Sequence, residues 1–427
     1  MREALSGLTV RGRAFAAAGV TSVVCAVLMG QTALSRVGVL LVVLPLITAF
    51  YVGRSRYRLA LVRTVHPQIV AAGQPAQVRL TITNEGRTPS GALLLEDQVP
   101  YVLGSRPRFV LSGIAHGWRR EIGYQVRSDV RGQFQIGPMS VRVSDPFGLV
   151  ELGRAFRTTV PLTVTPRTVP LPNIPLGGGW TGSGDNRPRA FATGSAEDVT
   201  VREYRHGDEL RRVHWRSSAR VGELMVRREE QPWQSRATVF LDNRADSHRG
   251  HGIASSLEAA VSAAASVAVH LSHRGFMVRL VTASGEDTTG AWHFRDADLN
   301  TGPLLEALAV VTALPQARLD TGWLSEPTGG GLTVAVLGEV SDHDLPALRR
   351  MQHHTSSAIA IALDVGAWAS AGGGDGGAAP LLAQQGWRSA ALAPRDRLDA
   401  VWQELGRTST ESSRTMRTAP TAQGVPG

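Results

Sequence analysis

The sequence contains no lysine and a single cysteine, and these absences exclude several kinds of chemistry. All 45 basic residues are arginine, so the glycine-rich stretch 177–184 lacks the lysine that a phosphate-binding P-loop requires. Cys25 is the only cysteine, which rules out an intramolecular disulfide, a thiol pair and a cysteine-based metal cluster. The glycine-rich stretch is therefore interpreted as part of a loop between domains.

Positive charge is abundant but unevenly distributed. The formal net charge is +9, of which residues 1–64 contribute +7 and the residues from Gly406 onward contribute +2. Residues 65–405 are consequently close to neutral. A domain that binds nucleic acid usually carries a basic surface, so this distribution argues against that class of protein. The 427 residues are enough for two or three domains.

Two apolar stretches near the N-terminus predict a transmembrane helical hairpin within residues 1–58. Ala14–Ala33 is about one bilayer thick as a helix, and Val37–Val52 follows after a few residues. A signal peptide is the competing interpretation of the first stretch, but the second stretch follows at once. Arginines flank the outer ends, namely Arg11, Arg13, Arg54, Arg56 and Arg58. Since arginine-rich flanks stay cytoplasmic, we expect a multi-pass protein of the cell membrane with cytoplasmic soluble domains.

The rest of the chain divides by pattern. Residues 59–168 alternate apolar and polar side chains in short runs between turn residues, which predicts an Ig-like β-sandwich. Residues 169–195 are rich in glycine and proline and predict a linker. Residues 237–405 alternate apolar strands with amphipathic helices, which predicts a doubly wound α/β domain with a parallel sheet. Residues 406–427 are rich in Ser, Thr and Pro and predict a disordered tail.

The segment 196–236 contains the most unusual sequence, VREYRHGDELRRVHWRSSAR at 201–220. Eight arginines and six acids interleave over residues 201–230, a mixture that suits salt bridges better than a track for a polyanion. Asp208 and His214 are six residues apart and do not share a helical face. No catalytic residue is therefore predicted, and a hydrolase remains an alternative only through residues that the fold brings together.

The same segment favours a structural or docking role. Asp208 is placed to cap a short helix, DELRRVHWRS, in which Arg211 and Trp215 are four residues apart and can stack. Arginines that pair with acids would fix the segment on the sheet, and the others would face a partner. The residues predicted to bind are Glu203, Tyr204, Asp208, Arg211, His214, Trp215 and Arg220.

The segment also resembles the signature of a bacterial family called domain of unknown function 58. The specific spacing is Gly207-Asp208, Arg211, Trp215 and Ala219-Arg220, and the resemblance extends over most of residues 10–405. It implies a von Willebrand factor A-like fold for the last domain and a MoxR-type AAA+ ATPase as partner. On this basis we expect a membrane-anchored scaffold or adaptor for the assembly or maturation of protein complexes, and not an enzyme.

Von Willebrand A-like domains typically bind a divalent cation through an Asp-x-Ser-x-Ser motif after the first strand. At the corresponding place this chain has Asp242, Arg244 and Asp246. Two hypotheses follow. Asp242 and Asp246 could hold Mg²⁺, which prefers carboxylates, and the chain would then be a cation-dependent ligand-binding module. Alternatively, Arg244 neutralises one of the two carboxylates as an ion pair, and no cofactor is needed.

Overall fold

The computed structural model describes most of the chain in two compact units. The described residues are 7–54, 59–85, 93–112, 117–145, 147–176, 201–204, 213, 215–227, 236–287, 301–325, 331–369 and 376–417. One unit consists of Met1–Arg167 and Leu305–Val311, and the other of Thr168–Leu304 and Thr312–Gly427.

The first unit begins with two apolar helices, α1 (Val10–Met29) and α2 (Thr32–Arg54). Each contains a stretch long and apolar enough to cross a membrane. The helices approach closely where Gly19 meets Gly38, since a Cβ on either glycine would lie 2.9 Å from the other's carbonyl oxygen. Small residues permit such close packing of apolar helices, so the hairpin depends on these two glycines.

Ten strands follow among the described residues of the first unit. They are β1 (Leu59–His66), β2 (Ile69–Ala71), β3 (Pro75–Asn84), β4 (Leu93–Asp97), β5 (Arg108–Leu111), β6 (Arg119–Arg127), β7 (Gly132–Ile136), β8 (Met139–Ser144), β9 (Glu151–Phe156) and β10 (Val160–Thr165). Three sheets are formed, in the orders β1-β3-β6, β2-β10-β7 and β5-β4-β8-β9. Every pairing is antiparallel except that of β2 with β10. The predicted β-rich domain is confirmed.

Alternation of side chains builds the core of this domain. Val78, Leu80 and Ile82 point from β3 into one apolar cluster that also receives side chains from the other sheets. A buried polar group lies at its edge, where Arg63 donates to Asp97 through Nε at 3.1 Å and through Nη2. The Tyr124 hydroxyl also donates to Asp97 at 2.6 Å. Burial is the main cause that raises the pKa of Tyr124 above its ordinary range, and the hydrogen bond to Asp97 is the second.

The second unit contains the signature elements and an α/β domain. The signature elements are β11 (Val201–Glu203), α3 (Trp215–Val221) and β12 (Met225–Arg227). The α/β elements are β13 (Arg236–Leu241), α4 (Ser256–His273), β14 (Met277–Thr282), α5 (Gly302–Val310), β15 (Leu332–Leu337), α6 (Leu345–His353), β16 (Ser357–Leu363), α7 (Val365–Ala369), α8 (Ala379–Gln384), β17 (Arg388–Leu392) and α9 (Leu398–Arg417). Helix α5 is divided between the units, since its residues from Leu305 onward belong to the first.

The five α/β strands form one sheet in the order β14-β13-β15-β16-β17, and all neighbours are parallel. Strands such as β15 are buried along their whole length, which explains their continuous apolar sequence. After β13 the chain forms β14 on one side of β13, and it then crosses back to form β15 on the other side. This reversal of strand order places a crevice beyond the carboxyl ends of β13 and β15. The predicted parallel sheet is confirmed.

Three local features differ from the sequence-based predictions. Residues 169–176 were predicted to be linker, yet the Val169 amide donates to Ser266 and the Trp402 indole donates to the Pro172 carbonyl. Helix α9 continues to Arg417, into the segment predicted as a disordered tail. In the signature, Val213 bridges to Val226, so the helix predicted over residues 208–217 is interrupted there; the described helix begins at Trp215, and residues 205–212 lie outside the described part of the chain. Long-range contacts, which composition does not encode, cause the first and third differences.

Candidate functional site

The crevice beyond β13 is filled by a buried arginine. Asp242 directly follows β13 and is fully buried. Arg244 donates two parallel hydrogen bonds to the Asp242 carboxylate, Nε to Oδ1 and Nη2 to Oδ2, each 2.9 Å long. Such a bidentate pair is the strongest geometry available to a guanidinium and a carboxylate. The ion pair therefore fixes the first turn after the strand.

A second carboxylate completes the group. Asp344 lies after β15, in a short 3-10 helix (Asp342–Asp344), and its Oδ1 accepts from Arg244 Nη1 at 2.7 Å. Arg244 also donates to the Ala317 carbonyl at 3.1 Å and to Asp344 Oδ2 at 3.3 Å. All five guanidinium N–H donors thus have acceptors, and each side chain of this arginine–aspartate group is at most 3% exposed.

The electrostatics of the group keep the arginine charged. Burial by itself lowers the pKa of Arg244, but the hydrogen bonds and charges of Asp242 and then Asp344 outweigh it and raise that pKa. Asp344 is held in turn by Ser341, whose amide and hydroxyl both donate to Oδ2 at 3.0 Å. The guanidinium therefore supplies the positive charge that two buried carboxylates require.

This arrangement does not fit Mg²⁺ at the predicted residues. Both oxygens of Asp242 accept from Arg244, and Asp246, the other predicted ligand, is exposed while Asp242 is buried. Among the described residues, no group of three or more His, Cys, Asp or Glu side chains could hold a metal ion. Of the two hypotheses, the geometry matches the ion pair. Its second partner is Asp344, which sequence reasoning missed.

A histidine and a serine lie beside the arginine–aspartate group. His248 Nε2 is 2.7 Å from the Asp242 carbonyl oxygen, and Nδ1 is 3.0 Å from the Ser256 hydroxyl. A carbonyl only accepts, so Nε2 carries the proton and Nδ1 accepts from the serine. Burial lowers the pKa of His248, which keeps the ring neutral. Ser256 is fully buried at the start of α4, so the pair fixes the loop and does not present a nucleophile.

The signature segment has a fixed inner side. Val213 and Val226 are buried against each other, and the Ser218 hydroxyl accepts from the Met225 amide at 2.8 Å. The Tyr204 amide donates to the Leu224 carbonyl at 2.8 Å, which extends the pairing of β11 with β12. Helix α3 is therefore held on a small two-stranded sheet, and its outer side faces solvent.

Trp215 stands on that outer side and is 70% exposed. Val221 is 59% exposed and Leu224 is 41% exposed, and both arginines of the helix, Arg216 and Arg220, are exposed as well. These five residues define the α3 surface. Of the predicted binding residues, Trp215 and Arg220 are thus both exposed on α3, and Tyr204 is half-buried at the end of β11.

The other predicted binding residues cannot be compared. Asp208, Arg211 and His214 lie outside the described residues, and so does the side chain of Glu203. The predicted stacking of Arg211 on Trp215 therefore stays a prediction. A cavity of about 320 Å³ lies elsewhere, where the end of β17 meets the first turn of α9, and Trp368, Asp396 and Arg397 are among its lining residues. It contains neither His248 nor the arginine–aspartate group.

Fold and site together define a multi-domain protein with an apolar two-helix hairpin, a β-rich domain and a parallel α/β domain whose crevice is closed by an arginine. Residues 200–314 match the model of the family described as "Protein of unknown function DUF58". This match confirms the resemblance to domain of unknown function 58 over residues 200–314. It includes the α3 surface, Asp242 and Arg244. A search of the curated proteins gives no match.

Solved structures similar to part of the chain have low sequence identity. The CARDB domain of a Pyrococcus furiosus protein is 13% identical, with 26% of this chain and 94% of that chain covered and a TM-score of 0.20. A human complex of zinc 2-glycoprotein and prolactin inducible protein is 12% identical, with coverages of 26% and 98% and a TM-score of 0.21. The sporulation control protein of Bacillus subtilis is 11% identical, with coverages of 25% and 49% and a TM-score of 0.14.

Proposed function

We propose that this protein is a membrane-anchored adaptor whose soluble domains lie in the cytoplasm and whose α3 surface binds a protein partner. The observation that carries the proposal is Trp215, a large aromatic residue that is 70% exposed on a helix with a fixed inner side. Soluble proteins bury most tryptophan surface, and exposed apolar groups rimmed by polar residues mark interaction sites.

The composition of the α3 surface indicates the chemistry of the partner. Tryptophan and arginine are the residue types most enriched among those that dominate binding energy at protein interfaces. Arg216 and Arg220 are exposed on the same helix as Trp215 and Val221, and Leu224 is exposed just after it. A complementary surface would offer a pocket for the indole and carboxylates around it. This chemistry fits a folded protein better than a nucleic acid, because residues 65–405 taken together are close to neutral.

The identity of the partner is proposed from the family resemblance. That resemblance implies a MoxR-type AAA+ ATPase, together with an Ig-like topology for the β-rich domain and a von Willebrand A-like topology for the α/β domain. In such an arrangement the hairpin holds the adaptor at the membrane, and the ATPase acts on complexes assembled there. The filled crevice beyond β13 supports an adaptor role, since it leaves no open cation site for a ligand.

The test is co-purification of the tagged full-length protein from detergent-solubilised membranes, followed by mass spectrometry. We expect an AAA+ ATPase to be recovered with the unchanged protein and to be lost from the Trp215→Ala and Arg220→Ala variants. Tyr101→Ala is the matched control, because Tyr101 is an aromatic residue that is 91% exposed in the β-rich domain.

Two results would contradict the proposal. If no AAA+ ATPase is recovered with the unchanged protein, the partner is of another kind. If the ATPase is retained by folded Trp215→Ala and Arg220→Ala variants, the α3 surface is not its docking site. The variants Asp208→Ala and Arg211→Ala extend the same test to the signature residues outside the described part of the chain.

A further inference from the structure

The corner between β8 and β9 is bonded to the start of the apolar hairpin. The Thr9 amide donates to the Leu149 carbonyl at 2.9 Å, and the Thr9 hydroxyl donates to the Gly148 carbonyl at 2.7 Å. Leu8 and Val150 add a β-bridge just before α1 begins. Gly12 lies so close that a Cβ there would collide with the Leu149 carbonyl oxygen. The corner (residue 145 and residues 147–150) is therefore fixed against the first turn of α1.

The same corner packs on the second helix of the hairpin. Ala49, Leu149 and Val150 form a buried apolar cluster, and Leu8 and Leu44 pack against it. Leu44 and Ala49 lie within Thr32–Phe50, the part of α2 that is apolar enough to cross a membrane. The corner therefore packs against residues that lie inside the apolar stretch of α2, and not only against the residues next to it.

Three backbone amides of the corner have hydrogen-bond partners within the protein, as a poorly hydrated environment requires. Asp145 is 7% exposed, and its carboxylate accepts from the Phe147 amide through Oδ2 at 3.0 Å and from the Val150 amide through Oδ1 at 2.7 Å. The Gly148 amide donates to the Asp145 carbonyl at 3.1 Å. Backbone groups that approach lipid must be satisfied within the protein, and these bonds meet that requirement for three amides.

Phe147 projects from this corner and is 60% exposed. Its side chain is therefore not buried in the sheet. Arg11 is exposed on the first turn of α1, and its Nη1 lies 3.9 Å from the position of a Cβ on Gly148. Phenylalanine beside basic residues is typical of segments that lie in the surface of a bilayer, and arginine near that surface is attracted to anionic lipid.

We propose that this corner is a membrane-surface anchor, in which Phe147 enters the boundary between headgroups and acyl chains and Arg11 binds anionic headgroups. The partner is the lipid surface itself. This inference rests on the membrane anchoring in the proposed function. Its consequence is that the β-rich domain is held at the bilayer at two places, through the hairpin and through the corner.

The test measures the depth of single nitroxide labels on the full-length chain in vesicles of phosphatidylcholine and phosphatidylglycerol. Cys25 is the only cysteine, so a Cys25→Ala background accepts one label at a time. The test site is Phe147→Cys. Val20→Cys, 56% exposed on α1 and about 16 Å along the helix from Thr9, reports whether the hairpin is in lipid.

Tyr101→Cys is the aqueous control. In the register of β4 with β8, Leu93 pairs with Val143 and Asp97 pairs with Met139. Tyr101 follows the Asp97 end of β4, whereas the corner follows the Ser144 end of β8, so the two sites lie at opposite ends of this sheet. Each label is compared for its collisions with oxygen, which concentrates in lipid, and with a water-soluble nickel complex.

The label at residue 147 should show a several-fold higher ratio of oxygen to nickel collisions than the label at residue 101, and a lower ratio than the label at residue 20. Arg11→Gln should reduce the ratio at residue 147 in vesicles with phosphatidylglycerol, and have less effect in phosphatidylcholine alone. An aqueous label at 147 beside a lipid-exposed label at 20 would refute the anchor while leaving the hairpin intact. A label at 147 shielded from both probes would indicate a protein contact and also refute it.

The outcomes separate this inference from the proposed function. An aqueous label at residue 20 would show that the hairpin does not enter the bilayer, and the membrane anchor would fail together with the corner. Recovery of the ATPase by co-purification depends on the α3 surface and is measured independently of the labels. Phe147 is exposed, so its substitution is not expected to unfold the β-rich domain.

Discussion

Arg244 and Asp344 are one hundred residues apart in the sequence, yet their side chains meet at 2.7 Å in the interior of the α/β domain. Arg244 follows β13 and Asp344 follows β15, and these strands are neighbours in the parallel sheet. Asp242, on the same turn as Arg244, completes the arginine–aspartate group. The group ties together two loops at the crevice where α/β folds commonly place their ligands.

Removal of the guanidinium should destabilise the α/β domain strongly. Arg244→Ala leaves the carboxylates of Asp242 and Asp344 buried without a counter-charge, which typically costs about 3–5 kcal/mol of unfolding free energy. Arg244→Lys keeps the charge but cannot serve all five acceptors, so we expect an intermediate loss. Denaturant unfolding of the full-length protein in detergent measures both.

Arg397→Ala is the matched control for this experiment. Arg397 also pairs with an aspartate, Asp399 at 2.7 Å, but its side chain is 81% exposed. Exposed pairs contribute little because water screens them, so the midpoint of unfolding should hardly change. Equal losses in the Arg244 and Arg397 variants would show that the arginine–aspartate group does not stabilise the fold.

Divalent cations should have no effect on the stability of the unchanged protein. A cation that binds only the folded state raises the unfolding temperature by mass action. Here the oxygens of Asp242 are already occupied by Arg244. Thermal unfolding with millimolar Mg²⁺ and with a chelator should therefore give the same midpoint. A stabilisation by Mg²⁺ that disappears in Asp242→Ala would instead support the hypothesis of a cation-dependent binding module.

Stability should fall as the solution becomes acidic, partly because of His248. Burial lowers the pKa of His248 in the folded protein below its ordinary value of 6.5. As pH falls below about 6.5, His248 binds a proton in the unfolded chain but stays neutral in the folded chain, so the unfolding free energy decreases. The contribution is present in full above this pH. Its slope approaches about 1.4 kcal/mol per pH unit for one such group.

The His248→Gln variant tests this assignment. Its unfolding free energy should depend less on pH between about 6.5 and 5 than that of the unchanged protein. Some dependence should remain, because burial also lowers the pKa of His270. His251→Gln, a change at an exposed histidine, is the control and should leave the slope unaltered. An identical slope in His248→Gln would contradict the assignment.

A larger side chain at Gly19 should separate the two helices of the hairpin. A Cβ at this position would lie 2.7 Å from Val42 Cγ2 and 2.9 Å from the Gly38 carbonyl oxygen, so Gly19→Val forces α1 away from α2. Overpacking of this kind typically costs about 1–3 kcal/mol. We expect a lower unfolding temperature in detergent and a lower yield in membranes.

Gly153→Val is the control for the hairpin variant. Gly153 lies on β9, and a Cβ there would have no neighbour within 4 Å. Valine also suits a strand, so this change should leave the unfolding temperature nearly unaltered. If both valine variants behave alike, the close approach of Gly19 and Gly38 does not determine hairpin stability.

Local patterns predicted the elements but not their partners. The alternation in β3, where Val78, Leu80 and Ile82 face the core, is visible in the sequence because burial on one face repeats every two residues. The unbroken apolar run of β15 similarly predicts a strand buried on both faces. The helix predicted from Asp208 is interrupted at Val213, which forms a bridge to Val226; the described helix begins at Trp215, and Asp208 itself lies outside the described residues.

The sequence by itself determined the apolar hairpin, the β-rich domain, the parallel α/β sheet and the family of residues 200–314, because each depends on periodicity, composition or a local motif. Only the tertiary structure decided that Arg244 is shared by Asp242 and Asp344, that Trp215 faces solvent, and that the corner at Phe147 lies against the hairpin. These facts depend on which distant segments meet. Strand order and turn packing determine those contacts, and neither produces a periodic pattern of residues in the sequence.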